Sequence, residues 1–222
     1  MAGRGAQVDP RLAAALTAQF EQWRAALHGG AARVGWKLGM GDGERIGDEV
    51  AIGHLTSAGL LDPGGIYHAG SHLDLRADAE VALQLGRTVA PDADAVAARR
   101  AIAGYGVALE IVDLGGPDDP VSVVATNVFH RGVAFGPFRP TLPEGIDGRL
   151  VVNGHVQASS AAASDPADRV RAAARLLGAM GEQLQPGDRI ITGSVVQVPI
   201  KVGDQVVAEM GALGKVRLSI GD

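Results

Sequence analysis

Residues 198–220 read VPIKVGDQVVAEMGALGKVRLSI, and residues 184–194, a few positions upstream, read LQPGDRIITGS. PGD and VGD are turns of one type, and each opens an apolar, β-branched run. Short strands joined by tight turns predict a rolled or closed β architecture over the C-terminal segment. Upstream, Arg149–Val156 carries Asn153-Gly154 between apolar runs, the dipeptide of a two-residue hairpin. Residues Leu73–Leu85 alternate, with Asp78, Glu80, Ala82 and Gln84 on one side and Ala79, Val81, Leu83 and Leu85 on the other. Tyr105–Val112 reads as a buried strand and Val128–Phe135 as another. Helical patterns are fewer. Leu12, Ala15, Leu16, Phe20, Trp23 and Leu27 form one stripe at spacings of three and four over Arg11–Leu27, which reads as core or subunit contact. A short Ala-rich helix is predicted over Pro91–Ala103 and a longer one over Pro166–Leu184.

The 222 residues are 46% hydrophobic and 20% charged, a globular composition. Twenty Lys and Arg stand against 25 Asp and Glu, and a net charge of −5 argues against a nucleic-acid partner. Cysteine is absent, which excludes disulfides, thiolate zinc sites and a cysteine nucleophile and accords with a cytoplasmic location. No apolar run approaches the ~20 residues that span a bilayer, and MAGRGAQVDPRL lacks the apolar core of a signal peptide, so no membrane partner is expected. Residues 39–49, GMGDGERIGDE, do not fit the dinucleotide fingerprint and read as a loop able to act as a lid.

Serine-hydrolase elbows and HExxH pairs are missing. His68 and His72 lie four apart, but Gly70 and the strand pattern that follows argue against a metal-binding helix there. The carboxylates carry more. Asp78 and Glu80 share a strand face, and Glu110 sits inside the apolar run VALEIV, with Asp113 just beyond. A lone ionised Glu in a buried strand costs several kcal/mol unless something compensates it. Two solutions satisfy this. Either Asp78 and Glu80 face solvent while Glu110 pairs with an arginine, or three carboxylates converge on a hard divalent cation such as Mg²⁺. Lys37, in GWKLG, either covers apolar surface and sends its head to water or stands beside that cation and exchanges protons.

The segments GWKLGM (35–40), IGHL (52–55), RADAEVALQLG (76–86), ALEIVD (108–113), ATNVFHRGVAFG (125–136), VNG (152–154), QPGDRIITGS (185–194) and VGDQVVAEMGALGKVRLSI (202–220) occur in this order. Together they resemble the 2-keto-4-pentenoate hydratase and 4-oxalocrotonate decarboxylase branch of the fumarylacetoacetate hydrolase superfamily. The resemblance implies an α+β class with a mixed β-roll and flanking helices. Residues 1–32 would form a helical N-terminal extension and 33–222 a single β-roll catalytic domain. It implies Mg²⁺ or Mn²⁺ on Asp78, Glu80 and Glu110, catalysis by Lys37 and Asn127, and substrate binding by Leu38, Thr192 and Ser194. The implied partner is a small-molecule 2-oxo or 2-hydroxy-dienoic acid that chelates the metal through its 2-oxo group and carboxylate.

Asp78 stands where the hydratases carry Glu, and ATNVFH replaces the family's ADNAS, so that Thr126, Phe129 and His130 are departures. The activity expected first is a metal-dependent hydro-lyase, adding water to a 2-hydroxy-2,4-dienoate through a metal-chelated enolate. The alternatives are a C–C bond hydrolase using Glu44 or Glu49 with His54, a 2-oxo acid decarboxylase, and a catalytically inactive partner subunit. A homo-oligomer is expected, with the helix at 11–27 a candidate contact.

Overall fold

The computed structural model describes residues 10–39, 50–162 and 165–222. Helix α1 spans Pro10–His28. Strands β1 (Arg33–Gly39), β2 (Ala51–Thr56), β3 (Ile66–His68) and β4 (Leu75–Leu85) follow. Helix α2 (Ala95–Ala101) runs directly into β5 (Ile102–Asp113), and α3 (Pro120–Ala125) precedes β6 (His130–Phe135). A hairpin of β7 (Asp147–Val152) and β8 (His155–Ala161) leads to α4 (Pro166–Ala179). The chain closes with β9 (Arg189–Pro199), β10 (Gln205–Met210) and β11 (Lys215–Gly221). The strands form two mixed sheets, ordered β2-β1-β9-β4-β5-β6 and β3-β11-β10-β7-β8.

The elements follow local chemistry. Asn153 and Gly154 both take left-handed backbone angles, φ 52° and 83°, and make the two-residue turn of the β7–β8 hairpin. Helix α2 is shorter than the Ala-rich pattern over Pro91–Ala103 predicts. It starts after Asp94, whose carboxylate accepts from the Ala97 N–H at 2.7 Å, and at Ile102 the backbone turns extended. Helix α4 likewise stops at Ala179 rather than Leu184, with Gly181 at φ 73° just beyond its end.

The alternation along β4 sorts the larger sheet into two faces. Ala77, Ala79, Val81 and Leu83 join Leu109, Ile111 and Ile190 in the main core, with Leu150, Val206 and Met210 of the second sheet. The opposite face holds a smaller apolar cluster of Leu55, Ala82, Ala108, Val133, Phe135 and Ile191. Asp78 and Glu80 belong to this second face, because they alternate with the core residues.

The stripe on α1 buries Leu16, Phe20 and Trp23 within the chain. The Phe20 and Trp23 rings lie 5.6 and 5.0 Å from that of Trp36 on β1. Gln19, fully buried, donates to the carbonyls of Ile52 and Val124 at 3.0 and 2.6 Å, so α1 is hydrogen-bonded to both β2 and α3. Behind the aromatic cluster Arg33 lies 5.1 Å over the Trp36 ring and pairs with buried Asp188 at 2.6 Å. No helix among the described residues is long and apolar enough to cross a membrane.

The parallel contact of β1 with β9 brings Gly35 opposite Arg189. Gly35 has φ 151°, and a Cβ there would run into the Arg189 backbone. Since that neighbour is main chain inside a sheet, it cannot step aside. Gly35→Ala is therefore expected to lose at least about 3 kcal/mol of stability in urea unfolding; a loss below about 1 kcal/mol would show that the two strands can separate cheaply.

Candidate metal and substrate site

Strands β4 and β5 pair antiparallel along their length, and the register sets Asp78 directly opposite Glu110. Glu80 follows Asp78 by one pleat and points the same way. The three carboxylates, all buried, offer oxygens within 4.8 Å of one another. Of the two arrangements open from the sequence, the structure has the converging one, and the partner of Glu110 is a lysine rather than an arginine. Lys37 Nζ lies 2.6 Å from Glu110 Oε1 and donates to the Val128 carbonyl at 2.8 Å.

That contact reports the shape of the sheet. Strands β9 and β4 lie between β1 and β5, which in a flat sheet would put them about 14 Å apart. Lys37 and Glu110 meet because the sheet curls, so that its second face is concave and side chains from non-adjacent strands converge.

Strand β9 supplies the other wall. Its register against β4 slips on both sides of Glu80, passing from Ala82 opposite Ile191 to Glu80 opposite Ser194 and Ala79 opposite Val196. Such bulges re-aim backbone groups. Here the Gly193 N–H, at φ 104°, donates to Glu80 Oε2 at 2.7 Å, and Ser194 Oγ donates to Asp78 Oδ1 at 3.2 Å. Thr192 Oγ1 donates to the Val81 carbonyl at 3.0 Å. Both Thr192 and Ser194 line a cavity of about 450 Å³ between β9 and the start of α4.

Leu38 lies elsewhere. Its side chain is in the main core, on the face of β1 opposite Lys37, so only its backbone is left to meet a substrate. Asn127 is engaged on both sides of its amide, accepting from the His54 N–H at 2.7 Å and donating to the His54 carbonyl at 3.0 Å. It thus ties the turn before β6 to β2. In that turn Asn127, Val128 and Phe129 have φ of 63°, 53° and 61°, three successive left-handed residues without a glycine. Each such residue costs roughly 1–2 kcal/mol, most for β-branched Val128. The turn aims the Val128 carbonyl at Lys37 and brings His130 Nδ1 to 2.7 Å from Glu110 Oε1.

His130 was not among the site residues expected from the sequence, although it falls in the segment that departs from the family pattern. His68 and His72 make separate contacts, with the Asp222 carbonyl and with Asp113. Glu44 and Glu49, named with His54 for C–C hydrolysis, lie outside the described residues. Burial, with the nearby His130, lowers His54 to about 4.

The three carboxylates differ sharply in proton affinity. Burial works against ionised Glu110, but the Lys37 charge and the His130 hydrogen bond outweigh it and hold Glu110 near 2. Asp78 is raised to about 7, chiefly by burial and then by the negative charge of Glu110. Glu80 is raised well above the usual carboxylate range, first by burial and then by Glu110 and Asp78. One of the three is thus compensated by Lys37, and two either keep a proton or need positive charge from elsewhere. Glu110 Oε2 is buried without a hydrogen-bond partner among the described residues, an acceptor left over once Lys37 and His130 have taken Oε1. Hard oxygen donors with one unused lone-pair site fit a small divalent cation such as Mg²⁺ or Mn²⁺.

A curated 4-oxalocrotonate decarboxylase from a Pseudomonas species is 27% identical over 206 residues, covering 86% of this chain and 79% of the relative. The solved 4-oxalocrotonate decarboxylase from Pseudomonas putida G7, complexed with magnesium and adipate, superposes with a TM-score of 0.87 at 24% identity, covering 94% of this chain and 86% of that one. Fumarylpyruvate hydrolase from Pseudomonas aeruginosa, in complex with Mn²⁺ and pyruvate, gives 0.67 at 16% identity, covering 86% of this chain and 90% of that one. The family model described as fumarylacetoacetate (FAA) hydrolase C-terminal matches residues 51–220. With its mixed α+β fold, helical N-terminal segment and most of its length inside that match, the chain belongs to the fumarylacetoacetate hydrolase C-terminal family.

Proposed function

We propose that this protein is a divalent-metal-dependent lyase acting on a 2-oxo acid, and that its reaction is decarboxylation of a 2-oxo-3-enedioate. The observation that carries the reading is the convergence of Asp78, Glu80 and Glu110 beside Lys37 on the concave face. Asp78, Glu80 and Glu110 would hold a divalent ion, which would supply Lewis acidity to a 2-oxo acid. The remaining chemistry falls to the chain. The Gly193 N–H and Ser194 Oγ hold Glu80 and Asp78 in place. Lys37, fixed between Glu110 and the Val128 carbonyl, keeps an ammonium group within the site. In the proposed reaction the carbon–carbon bond to the distal carboxylate breaks and CO₂ leaves. The electron pair moves through the conjugated carbons to the 2-oxo oxygen, and a proton from Lys37 Nζ gives the 2-oxo-4-enoate.

Decarboxylation is preferred here to the hydration expected first from the motifs because the curated relative, 27% identical over 206 residues, is a 4-oxalocrotonate decarboxylase. Hydration of a 2-hydroxy-2,4-dienoate uses the same electron shift and the same Lys37, and product analysis separates the two. The purified protein with Mg²⁺ and 2-oxo-3-hexenedioate is expected to release CO₂ as the conjugated absorbance changes. Lys37→Ala and Glu80→Ala should each lower kcat by at least about 100-fold. Wild-type rates in both variants would remove the lyase reading. Water addition to a dienoate without CO₂ release from the diacid would replace decarboxylation by hydration.

The metal and protons compete for the same oxygens. Asp78, at about 7 in the fold against an ordinary 3.8, favours the metal-free fold while protonated, and that contribution is lost as pH rises through 7. A divalent ion takes the proton's place. Mg²⁺ binding is therefore expected to tighten from pH 6 to pH 8 by up to about tenfold per unit for each proton displaced, with proton release visible by calorimetry in buffers of different ionisation heat. Equal affinity across that range, with no protons released, would place the ion elsewhere.

A further inference from the structure

We infer that His130 sets the metal selectivity of the carboxylate cluster: by filling Glu110 Oε1 together with Lys37, it leaves Glu110 a single oxygen for a cation and so favours a small octahedral ion over Ca²⁺. The assignment rests on the reading of the three carboxylates as a divalent-metal site given above. It concerns a residue at which the chain departs from the family pattern.

A carboxylate has about four lone-pair positions, two on each oxygen. Glu110 is fully buried, so the fold decides what each of them meets. On Oε1 both are taken, by Lys37 Nζ at 2.6 Å and by His130 Nδ1 at 2.7 Å. On Oε2 no described residue takes either. A Glu that served only as the counter-charge of Lys37 would need one donor and would leave Oε1 open on one side. His130 closes that side. A cation that used both oxygens of Glu110 would have to displace one of the two donors.

His130 reaches Glu110 through an irregularity in β6. Glu110 is paired with Val133, whose side chain lies in the apolar cluster of the concave face. In an unbroken strand His130, three residues from Val133, would face the other way. The register slips between the Ile111–Gly132 and Val112–His130 pairs, so Arg131 is an extra residue and the side chain at 130 is carried to the concave side. The ring is enclosed there, its side chain 7% exposed. Gly59 leaves room for it, since a Cβ at 59 would come within 3.1 Å of Nε2. Nε2 is itself buried without a partner among the described residues. The engaged nitrogen is Nδ1, and because an ionised carboxylate only accepts, Nδ1 donates.

Divalent ions differ in how they use such a group. Ca²⁺ takes about six to eight oxygens at about 2.3–2.6 Å, often both from one carboxylate, whereas Mg²⁺ demands a near-octahedral shell at about 2.0–2.1 Å. A cluster in which one carboxylate is confined to a single oxygen gives Ca²⁺ fewer ligands and takes none from Mg²⁺.

The test measures Mg²⁺ and Ca²⁺ dissociation constants by calorimetry at pH 8 on the full chain. The variants are His130→Leu and His130→Phe, which remove the donor (Phe with a ring still in the space), and His130→Asn, which puts an amide N–H near where Nδ1 stood. Wild type is expected to bind Mg²⁺ at least as tightly as Ca²⁺. The ratio of Ca²⁺ to Mg²⁺ affinity should rise at least about tenfold in the Leu and Phe variants and return to within about threefold of wild type in His130→Asn. Wild type that prefers Ca²⁺ by more than about tenfold overturns the assignment. So does equal weakening of both ions in whichever of the Leu and Phe variants folds, and so does a raised ratio that His130→Asn leaves in place. In each of these cases the metal site and the lyase reading stand. Wild type that binds neither ion overturns that reading and this assignment with it.

Discussion

Three carboxylates enclosed with a single ammonium group set the terms for the rest of this molecule. Taking Asp78, Glu80 and Glu110 out of water is costly, and Lys37 compensates only one of them. The surrounding structure reduces that cost in separate ways. The Lys37 and His130 contacts gather on one oxygen of Glu110, the bulge in β9 turns an N–H toward Glu80, and a serine hydroxyl meets Asp78. What stays uncompensated is what a bound cation would neutralise in the proposed function.

The curl of the larger sheet makes this grouping possible. Its convex side packs against the second sheet in the main core, while the concave side carries only a small apolar cluster and the polar groups. The same curvature lets β1 serve both sides. Trp36 goes to the aromatic cluster under α1, and Lys37, one residue on, goes to the carboxylates. Packing of the helix and placement of the lysine are therefore coupled through adjacent residues of a single strand.

Much of this was readable from residue order. Period-two alternation put Asp78 and Glu80 on one face, and an ionisable group inside VALEIV marked Glu110 as needing a partner. The rolled architecture followed from regularly spaced turns, and Asn153-Gly154 marked its hairpin. The reach of Lys37 was not readable from its own strand, because the contact depends on the curvature of four strands. Asn127 was expected in catalysis, whereas its amide is engaged with the His54 backbone. Val128 and Phe129 carry no local signal for left-handed geometry, so neither the turn nor the approach of His130 to Glu110 could be foreseen.

The left-handed turn at 127–129 has a consequence for how this site tolerates sequence change. Lys37 takes its second partner from the main chain at Val128, so exchanging the side chain at 128 does not remove the acceptor. What holds that oxygen in position is the path of the backbone, and Asn127 secures the path by its two bonds to His54. Drift in this loop is thus filtered twice: a residue at 128 must accept an unfavourable twist and also fill a buried apolar position, and where it does both the lysine keeps its orientation.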